Sequence, residues 1–265
     1  MNENGKLSQA FLTQAKQAYQ NNPANIVANS VMLNGIDASA RRQASVVSMQ
    51  QVFSDEIETL DITNQKKSGR CWIFAGMNVL RYHMNRKLGF KNKNFELSQP
   101  YLMFYDKLEK ANYFLESVIE TAAEPKDSRI VMWQFQSLMN DGGQWDMLVN
   151  LMKKYGVVPK AAMPESFHSS NSQGMNVILI KKLRKNGAAL RRMVAQGASA
   201  EAVRKEKEAM IGEIYGMLCT FLGQPPETFD FAYRDKDNGY HRDLNLTPLA
   251  FFQTYVGENL IDEYV

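Results

Sequence analysis

The chain has 265 residues, of which 31 are basic and 28 acidic, and its hydrophobic content is 45%. It is long enough to bury a sizeable core, and its net charge of +3 is too near balance to indicate a polyanionic partner. The two cysteines form no disulfide framework, and no apolar stretch resembles a secretory signal or a membrane span. These features predict a cytoplasmic protein without a membrane partner.

Helices dominate the elements that the sequence predicts, in chain order. Residues 24–63 show no clear period, residues 223–248 are rich in loop signals, and we expect few strands. Apolar spacing and end signals predict helices over residues 7–20, 72–88, from Ser98 to about Leu108 or beyond, 128–139, 145–155, and 178–222 with an interruption near Gly197.

Cys71 lies in the stretch GRCWIFAG, directly before an apolar helical pattern. A free cysteine is most often a small buried side chain. Here a polar stretch precedes it, and the start of a helix favours a thiolate over a thiol. Arg70 and two lysines, Lys66 and Lys67, add positive charge nearby. These features favour a nucleophile for covalent catalysis.

Gln65 lies six residues before Cys71. Its side-chain amide could donate a hydrogen bond to the oxyanion that forms when a thiolate attacks a carbonyl, with the N–H of Cys71 as the second donor. Taken alone, Gln65 would fit an exposed loop amide better than an oxyanion donor. The combination of Gln65, the glycine before Arg70 and the Cys-Trp pair is more specific than its parts.

This combination resembles the nucleophile segment of papain-like cysteine peptidases. Two residues depart from that pattern: Ser68 stands where secreted members usually carry a disulfide cysteine, and Arg70 replaces a small residue. Further similar stretches are ELSQPYL, NDGG at residues 140–143, and YGVVPKAAMP. Together they resemble the bleomycin hydrolase branch, and more closely bacterial aminopeptidase C, over most of residues 50–255.

The resemblance implies an α+β papain-like fold, present mainly as its helical lobe with helical insertions. It divides the chain into an N-terminal extension and lobe-crossing segment (1–63), a helical lobe with the nucleophile (64–175), and a helical insertion with the start of an incomplete second lobe (176–265). It implies that Gly142 and Gly143 bind the substrate main chain, because glycine allows close backbone approach. It also implies a homo-oligomer, a hexamer in the family, that acts on peptide substrates.

A papain-type cysteine also needs a histidine base oriented by Asn or Asp. His83 lies twelve residues along the same predicted helix, about 18 Å from its start. His168 and His241 lie in polar contexts unlike the family's histidine motif. We therefore expect the base to lie outside this sequence, in the C-terminal part of a longer protein, and this chain alone to be inactive.

Two other function classes stay open. The basic stretch KKLRKNGAALRR, residues 181–192, is typical of a solvated helix face but also fits a noncatalytic binding or assembly module, with nucleic acid as a partner. Cys71 could instead be a redox-sensing thiol. Cys219 lies in an apolar helical context and is expected to be inert. No residue spacing indicates a metal or other cofactor.

Overall fold

The computed structural model describes residues 5–49, 52–57 and 59–257. It divides the chain into two compact units, Met1–Ile57 and Glu58–Val265. The domain boundaries at residues 63 and 175 stay predictions.

The first unit consists of short helices. The predicted helix over residues 7–20 is confirmed, and the Oγ of Ser8 caps its first turn by accepting from the N–H of Phe11. Gly35, at φ 79°, kinks the second helix. The elements are α1 (Gln9–Gln20), a 3₁₀ turn (Pro23–Val27), α2 (Ala28–Ala40) and α3 (Gln43–Ser48), none of which contains a buried residue.

The second unit contains the core and the longer helices. Its elements are α4 (Cys71–Leu88), α5 (Gln99–Glu120), α6 (Arg129–Gln136), α7 (Trp145–Tyr155), α8 (Phe167–Ser170), α9 (Gln173–Ala195), α10 (Ala200–Leu222), β1 (Phe229–Arg234), β2 (Tyr240–Leu246) and α11 (Pro248–Phe251), followed by a π turn (Phe252–Val256). The helices predicted over residues 72–88, 128–139 and 145–155 are confirmed to within a few residues, and α5 extends well beyond Leu108.

Helix α4 is buried along one face. Ile73, Met77, Leu80 and Met84 recur at helical spacing and are at most 1% exposed. They pack α4 against α5 and α7, while α5 packs in turn against α9 and α10. Gly89 ends α4 in the left-handed conformation, at φ 60°. The buried face orients α4 so that its first turn reaches the surface.

The strands lie where the sequence predicted loops. β1 and β2 form an antiparallel hairpin within residues 229–246, which the loop-rich pattern of residues 223–248 did not predict. Residues of β2 are almost all exposed, and four consecutive polar or aromatic residues, from Tyr240 to Asp243, interrupt the alternation by which strands are recognised. Pairing with β1 supplies the order that the local pattern does not.

Candidate active site

Cys71 is the first residue of α4, and its side chain is exposed. Arg70 precedes it in the N-cap position without making a side-chain cap, and no acidic residue lies in the first turn. The N–H groups and the positive end of the helix dipole therefore remain available to a thiolate at Cys71. The buried face of α4 holds the cysteine at this position.

Arg70 does not act as a free positive charge beside the thiol, as the sequence suggested. Its side chain is 2% exposed, and its two terminal nitrogens donate to the two carboxylate oxygens of Glu165, each at 3.0 Å. Its Nε donates to the Oγ of Ser68 at 2.8 Å. The charge of Arg70 is thus neutralised by a bidentate ion pair, and this expectation is corrected.

Gln65 begins the turn that leads to Cys71. The side chain is half-buried, and its Oε1 is buried without a hydrogen-bond partner among the residues that the structure describes. The carbonyl of Gln65 accepts from the Oγ of Ser68 at 2.6 Å. Lys66 has a φ of 56°, which is uncommon for a residue other than glycine. The turn between Gln65 and Cys71 is therefore tight and held by side chains.

Trp72 connects the start of α4 to the glycine pair. Its Nε1 donates to the carbonyl of Asp141 at 3.0 Å. A Cβ at Gly143 would lie 2.6 Å from the Trp72 ring, and one at Gly69 would lie 2.1 Å from the Cβ of Asp141. The structure thus brings the nucleophile segment and the glycine pair into contact, while Gly142 faces open space.

Buried charges hold the glycine loop on α5. The Nζ of Lys107, which is 1% exposed, donates to Asp141 at 2.6 Å, and Asn176 donates to the same oxygen at 3.0 Å. The Nζ of Lys110 donates to the carbonyl of Gly142 at 3.0 Å and forms an ion pair with Asp106 at 2.9 Å. Two lysines and two carboxylates therefore secure the loop next to Trp72.

The pKa values of the two carboxyl groups, Asp106 and Asp141, are shifted in opposite directions. Burial raises the pKa of Asp106, and the nearby lysines only partly offset it. Burial alone would also raise the pKa of Asp141, but Lys107 and Asn176 outweigh it and leave the pKa lowered. Asp141 is consequently the group whose ionised form the folded loop stabilises.

The three histidines lie on α4, on α8 and in the hairpin, and the contacts described for them are with residues other than Cys71. His83 lies twelve residues along α4, about 18 Å from its start. His241 pairs with Asp235 at 2.7 Å on the hairpin. That hairpin bonds to Gly89 at the other end of α4. The ring of His168 packs edge-on against Phe221 of α10, with a centroid distance of 4.9 Å.

The other features that the sequence singled out have structural roles. Burial raises the pKa of the Cys219 thiol, as expected for an inert cysteine. Three side chains of the basic stretch bind within the protein: Lys182 to Glu213, Arg184 to a carbonyl of the α6 region, and Arg191 to the carbonyl of Thr121. Much of this stretch is thus engaged in packing α9.

Several residues of the site were not found by sequence reasoning. Glu165, Lys107 and Lys110 carried no motif, and Asp141 was noted only as part of NDGG. One signal was present: Asp106, Lys107 and Lys110 interrupt a long apolar stretch of α5, where a charged side chain needs a partner. The identity of that partner depends on tertiary contacts.

The two glycines are predicted to differ when they are changed to alanine. Gly143→Ala places a methyl group against the Trp72 ring, so we expect unfolding free energy to fall by about 1–3 kcal/mol. Gly142→Ala meets nothing within 4 Å and is the matched control, with an expected change below about 0.5 kcal/mol. Urea unfolding followed by Trp fluorescence measures both. Equal destabilisation by the two variants would contradict the packing of Gly143 on Trp72.

A sequence profile of the peptidase C1-like family matches residues 6–265. The chain is 48% identical over 243 residues to an aminopeptidase C of Listeria monocytogenes, covering 91% of this chain and 54% of that protein. It is 40% identical over 261 residues to an aminopeptidase W of Lactobacillus delbrueckii subsp. lactis, covering 98% and 59%.

The fold is also similar to that of a solved structure. The crystal structure of PepW from Lactobacillus rhamnosis superposes with a TM-score of 0.91 at 47% identity, covering 96% of this chain and 57% of that chain. The predicted α+β papain-like fold is thereby confirmed. The chain spans about half the length of the curated relatives it matches. Among the described residues, no helix is long and apolar enough to cross a membrane.

Proposed function

This chain belongs to the peptidase C1-like family, and on that premise we propose that it serves a cysteine-type aminopeptidase acting on peptides. One observation carries the proposal. Cys71 is exposed at the uncapped start of α4, and Trp72 binds that helix start to the loop of Gly142 and Gly143. A nucleophile, a candidate oxyanion donor at Gln65 and a surface for the peptide main chain thus belong to one local unit.

In the proposed reaction, the thiolate of Cys71 attacks the scissile carbonyl carbon, and the carbonyl electron pair moves onto the oxygen. Gln65 and the N–H of Cys71 donate to this oxyanion. The tetrahedral species collapses, the C–N bond breaks, and the leaving amine takes a proton from a general acid. Water then attacks the thioester, giving up a proton to a base. The carboxylic acid product leaves and the thiol is restored.

We further propose that the base lies outside the described residues. His83 lies far along α4 from Cys71, and His241 lies in the hairpin that bonds to the opposite end of that helix. His168 packs against α10. The curated relatives are about twice as long as the matched region. The histidine, and the Asn or Asp that orients it, would come from that additional length. The restriction to amino-terminal residues is likewise proposed from the family alone.

The cellular compartment, the oligomeric state and the partners of the enzyme are also proposals. Both cysteines of the chain are free thiols, which supports a reducing compartment such as the cytoplasm. A homo-oligomer, a hexamer by family resemblance, can be tested by sedimentation. Nucleic acid is the weaker partner hypothesis, because several basic side chains of α9 bind within the protein.

A burst experiment tests the proposed chemistry. With the p-nitrophenyl ester of leucine, we expect Cys71 to be acylated and a single equivalent of p-nitrophenol to be released, followed by a stall for lack of a base. Added imidazole should restart release by deprotonating the water that attacks the thioester. Peptide mass spectrometry locates the acyl group.

Two results would contradict this proposal. Acylation of Cys219 at the same rate as Cys71 would remove the case for a special nucleophile, since the half-buried Cys219 is the internal control. Steady turnover without imidazole would show that a base acts within this chain. That result would overturn the proposed origin of the histidine but not the role of Cys71.

A further inference from the structure

We propose that Arg70 and Glu165 are positioning residues that hold the Gln65–Cys71 turn, so that the Gln65 amide reaches the oxyanion that forms when the Cys71 thiol adds to a carbonyl. The inference rests on the proposed function for the roles of Gln65 and Cys71. It adds a device that connects these two residues to a second element of the fold.

Every nitrogen of the Arg70 guanidinium group donates a hydrogen bond. The two terminal nitrogens bind Glu165 at 3.0 Å each, and Nε binds the Oγ of Ser68 at 2.8 Å. The group also lies 5.0 Å from the ring centroid of Phe74. A planar, buried guanidinium in such a bidentate pair has one orientation, and it therefore sets the position of its own backbone next to Cys71.

The link continues from Arg70 to Gln65. The hydroxyl of Ser68 accepts from Arg70 and donates to the carbonyl of Gln65 at 2.6 Å. Between them, Lys66 has its φ at 56°, with its N–H bonded to the side chain of Asn64 at 2.8 Å. A left-handed residue of this type persists only where surrounding contacts determine it. The Arg70–Ser68 link supplies such contacts.

The anchor for this link is the segment around α8. Glu165 also accepts from the hydroxyls of Ser169 and Ser170. The backbone adds two bonds, from the N–H of Lys67 to the carbonyl of Ser170 at 2.9 Å and from the N–H of Ser172 to the carbonyl of Lys67 at 3.3 Å. The turn is thus held to the segment around α8 by backbone and side-chain hydrogen bonds, and Glu165 accepts from both Arg70 and the serines of that segment.

Two reactions of Cys71 separate positioning from thiol reactivity. A dipeptide aldehyde such as leucyl-leucinal adds the Cys71 thiol across its carbonyl, forming a C–S bond while the thiol proton reaches the carbonyl oxygen. The resulting hemithioacetal presents its oxygen to the oxyanion donors. Alkylation by iodoacetamide displaces iodide and forms no such oxygen. Aldehyde affinity reports the Gln65–Cys71 geometry, whereas the alkylation rate reports the thiol alone.

The expected result is a selective loss of aldehyde affinity. Ser68→Ala and Glu165→Gln should each weaken hemithioacetal formation about tenfold, against about 10²-fold for Gln65→Ala as the reference. The iodoacetamide rate at Cys71 should stay within about twofold of the parent. Glu213→Gln, which breaks the exposed pair with Lys182, is the control ion-pair variant and should change neither quantity.

A double variant distinguishes positioning from stability. Arg70→Met with Glu165→Leu replaces the buried arginine and its half-buried partner by apolar side chains, a change that often restores stability. We expect the urea midpoint of the double variant to lie closer to that of the parent than the midpoint of Glu165→Gln does. Aldehyde affinity should remain low, because the link to Ser68 is lost. Recovery of affinity together with stability would show a purely structural role and overturn the inference.

The remaining outcomes separate this inference from the proposed function. Full aldehyde affinity in Ser68→Ala and Glu165→Gln, with loss in Gln65→Ala, would overturn the positioning role and leave the oxyanion role intact. Full affinity in Gln65→Ala would remove the oxyanion role, and the positioning inference would fail with it.

Discussion

Cys71→Ala is expected to abolish acyl transfer from the leucine ester, and Gln65→Ala to slow it by about 10²–10³-fold. The first change removes the only atom proposed to form the thioester. The second removes one of two hydrogen-bond donors to the oxyanion, a loss felt mainly in the transition state. The rate of p-nitrophenol release in the burst measures both effects.

Matched variants separate these effects from misfolding. Cys219→Ala removes the other thiol of the chain and should leave the burst unchanged. Gln224→Ala removes an exposed amide outside this turn and should alter the rate by less than about threefold. A Gln65→Ala burst as fast as that of the parent would show that the amide does not contact the oxyanion.

Asp141→Asn is expected to lower the unfolding free energy by about 2–3 kcal/mol. Breaking a buried ion pair typically costs about 3–5 kcal/mol, and the lower figure applies because Asp141 is partly exposed. The reason is that the ammonium of Lys107, 1% exposed, loses the carboxylate that it contacts at 2.6 Å. Urea unfolding at neutral pH measures the change.

The partner variant provides the control. Lys107→Met removes the buried charge and replaces it with an apolar side chain of similar length, so it should cost less than Asp141→Asn. The double variant should lie near Lys107→Met, because no unpaired ammonium remains. If Lys107→Met were the more damaging change, an unpaired buried lysine could not be the cause of the loss.

The pH dependence of this pair has a definite sign. Burial opposes ionisation of Asp141, but the attraction of Lys107 outweighs the effect of burial, so the pKa of Asp141 is lowered. A carboxyl group with a depressed pKa contributes stability that is present above its unfolded pKa, about 3.9, and is lost as pH falls through the folded value. The difference between parent and Asp141→Asn should therefore shrink below about pH 4. A constant difference from pH 3 to 7 would contradict this.

Local patterns were sufficient for most helices. The apolar spacing of α4 and α7, closed by Gly89 and Gly156, predicted both to within a residue. The hairpin was missed because β2 is exposed along almost its whole length and owes its order to its pairing with β1. The helices α2 and α3 were also missed, since almost all of their residues are exposed and no buried face imposes an apolar period on the sequence.

Residues close together along the chain, as in Gln65 to Trp72, were enough to predict a nucleophile, its helix and its family. Their chemistry depends on local features such as a helix start and a neighbouring amide. The tertiary structure decided which carboxylate pairs with each buried cation. Arg70 is neutralised by Glu165, 95 positions away in sequence, and Lys107 by Asp141. A burial cost and its compensating partner arise only when distant segments meet, and a single sequence does not specify which carboxylate a buried cation will contact.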